Sequence, residues 1–219
     1  MANFIYFEKY SVELLIMIIK AYPENPNPKV IAQIAEVIAD GGVVVYPTDT
    51  VYSFGCSICH PKAIERIARI KSVDPEKYKF SFVFDSISHI TQYTRSVDNQ
   101  VFKMMKKNLP GAFTFILETG NELPKSIRKK RKTIGARIPD NNIPLEIVKL
   151  LNEPIISTSV YDEDELIEYT TDPELIHEKY GDLVDLVVDG GYGNVEASTI
   201  IDCSNGGIEI LRQGLGELQ

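Results

Sequence analysis

The sequence predicts an α/β protein: a twisted mixed β-sheet flanked by helices. Two observations predict it. Short runs rich in Val, Ile and Phe alternate with longer runs whose apolar residues recur every three or four positions. Towards the C-terminus the short runs follow one another without a helix between each pair, which argues against a strictly parallel sheet. The 219 residues, 44% hydrophobic and 25% charged, are enough to bury one sizeable core without covalent staples.

The elements follow in order. The apolar stretch 14–19 is short and flanked by Glu13 and Lys20, so it reads as a strand, a helix or a frayed extension. Residues 1–16 are expected to be dispensable. Residues 1–27 are expected to form an extension and linker ahead of a domain spanning 28–216. Pro23, Pro26 and Pro28 stiffen the stretch before Asn27 caps a helix with Pro28 at its first position. That helix carries Val30, Ile31, Ile34, Val37 and Ile38 on one face, and Gly41 and Gly42 end it. "VVVY" and "VYSFGCSI" read as strands. "PKAIERIARIK" reads as an amphipathic helix opened by Pro61, "FSFVF" as a strand and "DNQVFKMMKKN" as a helix. "FTFILE", "TIGARIP", "PIISTSV", "DLVVDGG", "STIIDC" and "IEILRQG" are further strands, with "IPLEIVKLLN" and "DPELIHEKYG" as helices among them.

Several function classes are excluded early. The net charge of −8 argues against non-specific adhesion of the whole surface to nucleic acid or membrane. No apolar run approaches the length of a membrane span, and no secretory signal pattern is visible. Three cysteines, an odd number, suit a reducing compartment, so a cytoplasmic location is expected. Cys56-x-x-Cys59-His60 matches the haem-attachment string but lacks the export signal that covalent haem needs. A zinc site would need more paired ligands than Cys203, His89 and His177 supply. Buried or solvated structural cysteines are the expected reading, and no resident metal site is expected. The standard phosphate-cradling glycine motifs are missing.

Two features point to chemistry. Six of the eight residues from Lys125 to Lys132 are basic: Lys125, Arg128, Lys129, Lys130, Arg131 and Lys132. In an acidic chain, such a run must be solvated or matched by anions, and RNA phosphates are the natural match. Without interleaved aromatics it would grip backbone rather than stack bases. The second feature is polar residues at strand ends: Thr48, Asp49, Thr50 and Tyr52; Thr114; Ser157, Thr158 and Ser159; Ser198 and Thr199. Arg137 and Arg212 sit in strand-like apolar runs, where an unpaired charge is too costly. Guanidinium forks suit phosphate or carboxylate at a wet cavity.

In this order, "GGVVVYPTDTVYSFGC", "IARIK", "LPGAFTFILE", "KRKTIGARIP", "PIISTSV", "DLVVDGGYG", "STIIDC" and "ILRQG" resemble the YrdC/YciO family, and the YciO branch most. The resemblance runs from Pro28 to Gly214. It implies a twisted mixed sheet with a positively charged concave pocket. It also implies nucleotide and RNA binding, and kinship with an enzyme that makes L-threonylcarbamoyladenylate from ATP, threonine and bicarbonate for tRNA modification. Mg²⁺ would accompany the ATP. The partners implied are tRNA or double-stranded RNA, ATP or AMP, L-threonine and bicarbonate.

Carried over position by position, the resemblance assigns Thr48, Thr50, Tyr52 and Thr114 to the amino-acid substrate. It assigns Lys71, Ser157, Ser159, Ser198, Thr199 and Arg212 to the nucleotide, and Lys71, Arg137 and Ser159 to catalysis. The departures are Val73 for the arginine of the family's K-x-R element, Tyr161 for the asparagine of S-T-S-A-N, and Ser53 for a glycine after the tyrosine. Losing one preorganised donor from an electrostatic site can cost on the order of 10²-fold in rate. Two alternatives therefore stand beside the synthase: a hydrolase of threonylcarbamoyl-tRNA or the adenylate, and a non-catalytic RNA-binding module.

Overall fold

The computed structural model describes residues 17–160 and 168–219. Residues 1–16 and Tyr161 lie outside them. Strand β1 (Met17–Lys20) and helix α1 (Pro28–Ala39) come first, then β2 (Val44–Tyr46), β3 (Ser53–Ser57), α2 (Pro61–Ile70) and β4 (Ser81–Val83). Helices α3 (Ile87–Tyr93) and α4 (Asn99–Asn108) precede β5 (Phe113–Glu118), α5 (Lys125–Arg128), β6 (Thr133–Arg137), α6 (Asn142–Leu151) and β7 (Ile155–Ser159). The chain closes with α7 (Glu168–Thr171), α8 (Pro173–Tyr180), β8 (Leu186–Asp189), β9 (Thr199–Asp202) and β10 (Glu209–Arg212).

All ten strands join one sheet in the order β1-β8-β2-β3-β7-β4-β6-β5-β9-β10. The sheet is mixed as expected. Strands β8 and β2, β4 and β6, and β5 and β9 run parallel, whereas β3 with β7, β4 with β7 and β5 with β6 run antiparallel. Strand β1 lies ahead of the expected boundary at residue 28 and joins the same sheet. Met17–Lys20 pair in parallel with Leu186–Asp189, because an apolar run too short for a helix finds an unpaired sheet edge. Asn142 Nδ2 then donates to Pro23 O at 2.8 Å and ties the proline stretch to α6.

Helix α1 begins as its sequence dictates, with Asn27 Oδ1 accepting from Lys29 N at 3.0 Å. Gly41 turns the chain out of it at φ +87°. Three of the described helices escaped the sequence reading. Helix α3 is a short element capped by Ser86, α5 lies inside the basic run, and α7 is a four-residue turn ahead of α8. None is long enough to show a helical period.

The two faces of the sheet carry different cores. On one, α2, α3, α4 and α8 contribute Ala63, Ile67, Ile90, Met105 and Ile176 against Phe54, Phe82, Phe115 and Ile156. On the other, α1 and α6 contribute Ile31, Ile34, Ile38, Ile143 and Ile147 against Val44, Tyr46, Val83 and Ile155. Strand alternation extends this second face from Ile155 to Ser157 and Ser159, and from Val83 back to Ser81. Its apolar half is covered by the two helices. Its other half is a row of hydroxyls.

Candidate functional site

That hydroxyl row floors a cavity of about 230 Å³. Register aligns the floor: Ser53 pairs with Ser159, Ser157 with Ser81, Ser81 with Gly135, and Thr114 with Ile200, which faces Arg212. A Cβ on Gly135 would lie 3.0 Å from Thr114 and 3.5 Å from Ser81, so the missing side chain keeps the floor open. Tyr78 and Lys79 enter from the loop before β4, and Ala197 and Ser198 from the loop before β9.

Arg137 anchors the site from the end of β6. Its Nη2 donates to Asp49 Oδ1 at 2.9 Å and to Thr50 Oγ1 at 3.0 Å. Both members of the ion pair are about nine-tenths buried. Arg137 Nε and Asp49 Oδ2 remain buried without a hydrogen-bond partner among the described residues. Orphaned charged-group atoms of this kind are rare in folded proteins and are expensive to leave unmade. Arg212 approaches from the edge strand β10, held by Nε and Nη2 on Ser198 O at 3.2 and 2.7 Å. It is not the charge within an apolar run that the sequence suggested, because all four residues of β10 are exposed. Burial first, and then the positive charge of Arg137, push its guanidinium below its ordinary pKa. Two mutually repelling guanidiniums on one cavity favour an anion between them.

The hydroxyls are oriented from beneath the floor and by one another. Tyr46, its pKa pushed up to about 12 by burial, donates to Ser157 Oγ at 2.8 Å, which leaves the Ser157 proton free to donate. Thr114 Oγ1 and Ser198 Oγ share a hydrogen bond at 2.9 Å, and Tyr78 Oη and Thr158 Oγ1 another at 2.8 Å.

The structure therefore brings together Thr50, Thr114, Arg137, Ser157, Ser159, Ser198 and Arg212. Other expected residues do not line the cavity. Thr48 Oγ1 donates to Val51 O at 2.8 Å, accepts from Thr50 N at 3.1 Å, and stands 3.0 Å from Thr50 Oγ1, so it shapes the turn behind the floor. Tyr52 Oη donates to Gly191 O at 2.7 Å and accepts from Gly190 N at 3.0 Å; burial pushes its pKa up, and it pins the glycine loop. Thr199 Oγ1 donates to Gly216 O at 2.7 Å and accepts from Gly214 N at 2.9 Å, fastening the C-terminal segment. Lys71 caps the C-terminal end of α2, and Val73 packs against the core.

Within the basic run, Lys130 is paired with Glu76 at 2.6 Å and Arg131 is half-buried. Tyr78, Lys79 and Ser81 line the cavity and were missed as site residues. Asp49 was read among the strand-end polar residues but given no role of its own. Burial raises the Cys56 thiol pKa, and burial with Glu153 raises that of Cys59. Among the described residues no cluster of His, Cys, Asp and Glu could hold a metal, and no helix is long and apolar enough to cross a membrane.

Comparison with known proteins agrees with this architecture. The crystal structure of E. coli YciO superposes with a TM-score of 0.84 at 37% identity, over 92% of this chain and 97% of that one. The threonylcarbamoyl-AMP synthase of Pseudoalteromonas translucida is 27% identical over 183 residues, 80% of this chain and 94% of its own length. The P. abyssi Sua5 structure complexed with L-threonine shares the fold, with a TM-score of 0.80 at 23% identity over 90% of this chain and 57% of that longer one. The Sua5/YciO/YrdC family model, described by the words "Telomere recombination", matches residues 36–214. The chain belongs to the Sua5/YciO/YrdC family.

Proposed function

We propose that the cavity binds the threonine end of a threonylcarbamoyl group beside an adenine nucleotide, and that the protein acts in the threonylcarbamoyl chemistry of tRNA. The observation that carries this is Arg137, which lines the cavity with Arg212 over a floor of hydroxyls and is held from behind by Asp49. An amino-acid derivative offers a carboxylate to the guanidiniums and a hydroxyl to the serine and threonine side chains of the floor. A volume of about 230 Å³ suits an amino-acid-sized group. Pockets that enclose a larger ligand run to ~300–1,000 Å³, so a nucleotide would extend out of the mouth past Lys79. The relative named as a threonylcarbamoyl-AMP synthase and the Sua5 complex with L-threonine support the same ligand class.

In the synthetic direction, threonine, bicarbonate and ATP would give the adenylate and pyrophosphate. Arg137 and Arg212 would oppose the developing negative charge, with Ser157 and Ser159 as neutral donors. Mg²⁺ would travel as part of the nucleotide substrate, because Asp49 is already committed to Arg137.

A second reading has its own support. Val73 is packed into the core where the family's cation stands, and Lys71 is absent from the cavity lining. This weakens the grip on a triphosphate but not on the threonine end. It favours water attacking the carbamoyl carbon of threonylcarbamoyl-tRNA and breaking its bond to the adenine amino nitrogen, which takes a proton and stays on the tRNA; the N-carboxythreonine that leaves loses CO2 to give threonine.

One pair of assays separates the readings. Pyrophosphate release that requires both threonine and bicarbonate, and is lost in Arg137→Gln, supports synthesis. Threonine released from threonylcarbamoyl-tRNA without ATP, and lost in the same variant, supports hydrolysis. Neither activity, with threonine failing to bind, overturns the proposal.

A further inference from the structure

Strands β8 and β9 follow each other in the chain but not in the sheet, where β2, β3, β7, β4, β6 and β5 lie between them. The connection, residues 190–198, therefore crosses the sheet, and its last two residues, Ala197 and Ser198, line the cavity. It is tightly seated. Tyr52 Oη accepts from Gly190 N and donates to Gly191 O, Gly193 N donates to Thr171 O at 2.8 Å, and Asn194 N donates to Thr50 O at 3.1 Å. A Cβ on Gly190 would lie 2.5 Å from Pro47, and one on Gly193 2.7 Å from the Tyr52 ring, so neither position has room for a side chain.

Between these seats the connection raises one large side chain. Tyr192 is 83% exposed, more than any other large hydrophobic residue among those described. A single exposed aliphatic residue is ordinary. Here an aromatic ring is carried by backbone that is fastened on both sides, so the ring is presented to solvent from a fixed base. That base is close to the cavity. Thr50 lines the cavity and accepts from Asn194, and the two residues from Tyr192 to Asn194 span at most about 7 Å. Tyr192 thus belongs to the cavity's rim.

The size of the cavity limits what can lie at that rim. About 230 Å³ takes an amino-acid-sized group and little more. In threonylcarbamoyladenosine the carbamoyl carbon is bonded directly to the adenine amino nitrogen, so a flat ring with two open π-faces begins where the threonine end stops. In the adenylate, phosphate and ribose intervene and carry the base further away.

We propose that Tyr192 is a base platform, which stacks on the adenine of a threonylcarbamoyladenosine whose threonine end occupies the cavity. The proposal rests on the cavity reading above and deepens it by naming the residue that tells a base-bearing ligand from a base-free one. Stacking acts through the π-face and the area it covers, so the ring is needed and the phenol hydroxyl is not. The cavity itself sees the same threonine end in both ligands and cannot separate them.

The chain contains no tryptophan, so Tyr192→Trp places a single fluorescent reporter on the connection. Threonylcarbamoyladenosine should quench its emission. N-carbamoylthreonine, which has the same threonine end and no base, should bind without quenching. In calorimetry, Tyr192→Ala should weaken the nucleoside by about 5–150-fold, the worth of one base stacked on an aromatic ring, and leave N-carbamoylthreonine unchanged. Tyr192→Phe should bind the nucleoside as the parent does, and all three variants should keep the parent's melting temperature. Equal nucleoside affinity in Tyr192→Ala and the parent, or an equal loss for both ligands, overturns the platform. A blue shift of the Tyr192→Trp emission with rising protein concentration alone also overturns it, because a second copy would then cover the ring. If N-carbamoylthreonine fails to bind the parent while the nucleoside still quenches the reporter, the cavity reading fails and the stacking survives it.

Discussion

Arg137 and Asp49 form a 2.9 Å ion pair that is almost fully buried and yet leaves Arg137 Nε and Asp49 Oδ2 without partners among the described residues. Removing one member strands the other's charge, which in buried pairs costs ~3–5 kcal/mol. Arg137→Gln should therefore lower urea stability by an amount of that order. Arg137→Gln/Asp49→Asn should recover most of it, because neither remaining group is charged. Threonine affinity, measured by calorimetry, should stay lost in both. Recovery of binding in the double variant would show that the pair serves only the fold.

Lys79 lines the cavity and Lys71 does not. Competition by pyrophosphate or ATP should accordingly weaken more in Lys79→Ala than in Lys71→Ala, by about three- to tenfold if a charge-assisted hydrogen bond is lost. The reverse order would restore Lys71 to the role its place in the sequence suggests.

Tyr46 donates to Ser157 from beneath the floor, and burial raises its pKa from 10.0 to about 12. The sign follows from linkage. The folded protein holds this proton more tightly, so its contribution to stability is intact below pH 10 and is lost as pH rises towards 12. A shift of this size corresponds to ~3 kcal/mol over that window. Chemical denaturation at pH 8 and pH 11 should show the loss, and Tyr46→Phe should show less of it. At pH 8, Tyr46→Phe should cost about 1 kcal/mol for the missing hydrogen bond.

Thr199 holds the C-terminal segment through Gly214 N and Gly216 O. Thr199→Val leaves both groups to find new partners, which should cost ~1–3 kcal/mol. Limited proteolysis should then cut near Leu215 sooner than in the parent protein. The consequence for the site is indirect: Arg212 precedes this segment, so nucleotide affinity should also fall.

What the sequence determined on its own was local and periodic. Val, Ile and Phe runs fixed the strands, Asn27-Pro28 fixed the start of α1, and spacing fixed the buried faces of α1, α2 and α4. The succession of short apolar runs towards the C-terminus, without a helix between each pair, pointed to the mixed sheet. Candidate residues were legible where a polar group interrupted an apolar strand, as at Arg137, Ser157 and Thr114. Tertiary structure decided which hydroxyls face the cavity. Thr199 and Ser198 are adjacent in the chain, but the strand pleat sends one to the C-terminal segment and the other to the site. Asp49 became part of the site only because β6 carries Arg137 to it across 88 residues. The basic run was divided in the same way: Glu76 pairs with Lys130, whereas Arg131 donates to Tyr78 O and lies over the Phe80 ring. Charge is written in the sequence, but whether a charge is matched depends on which distant residue folds beside it.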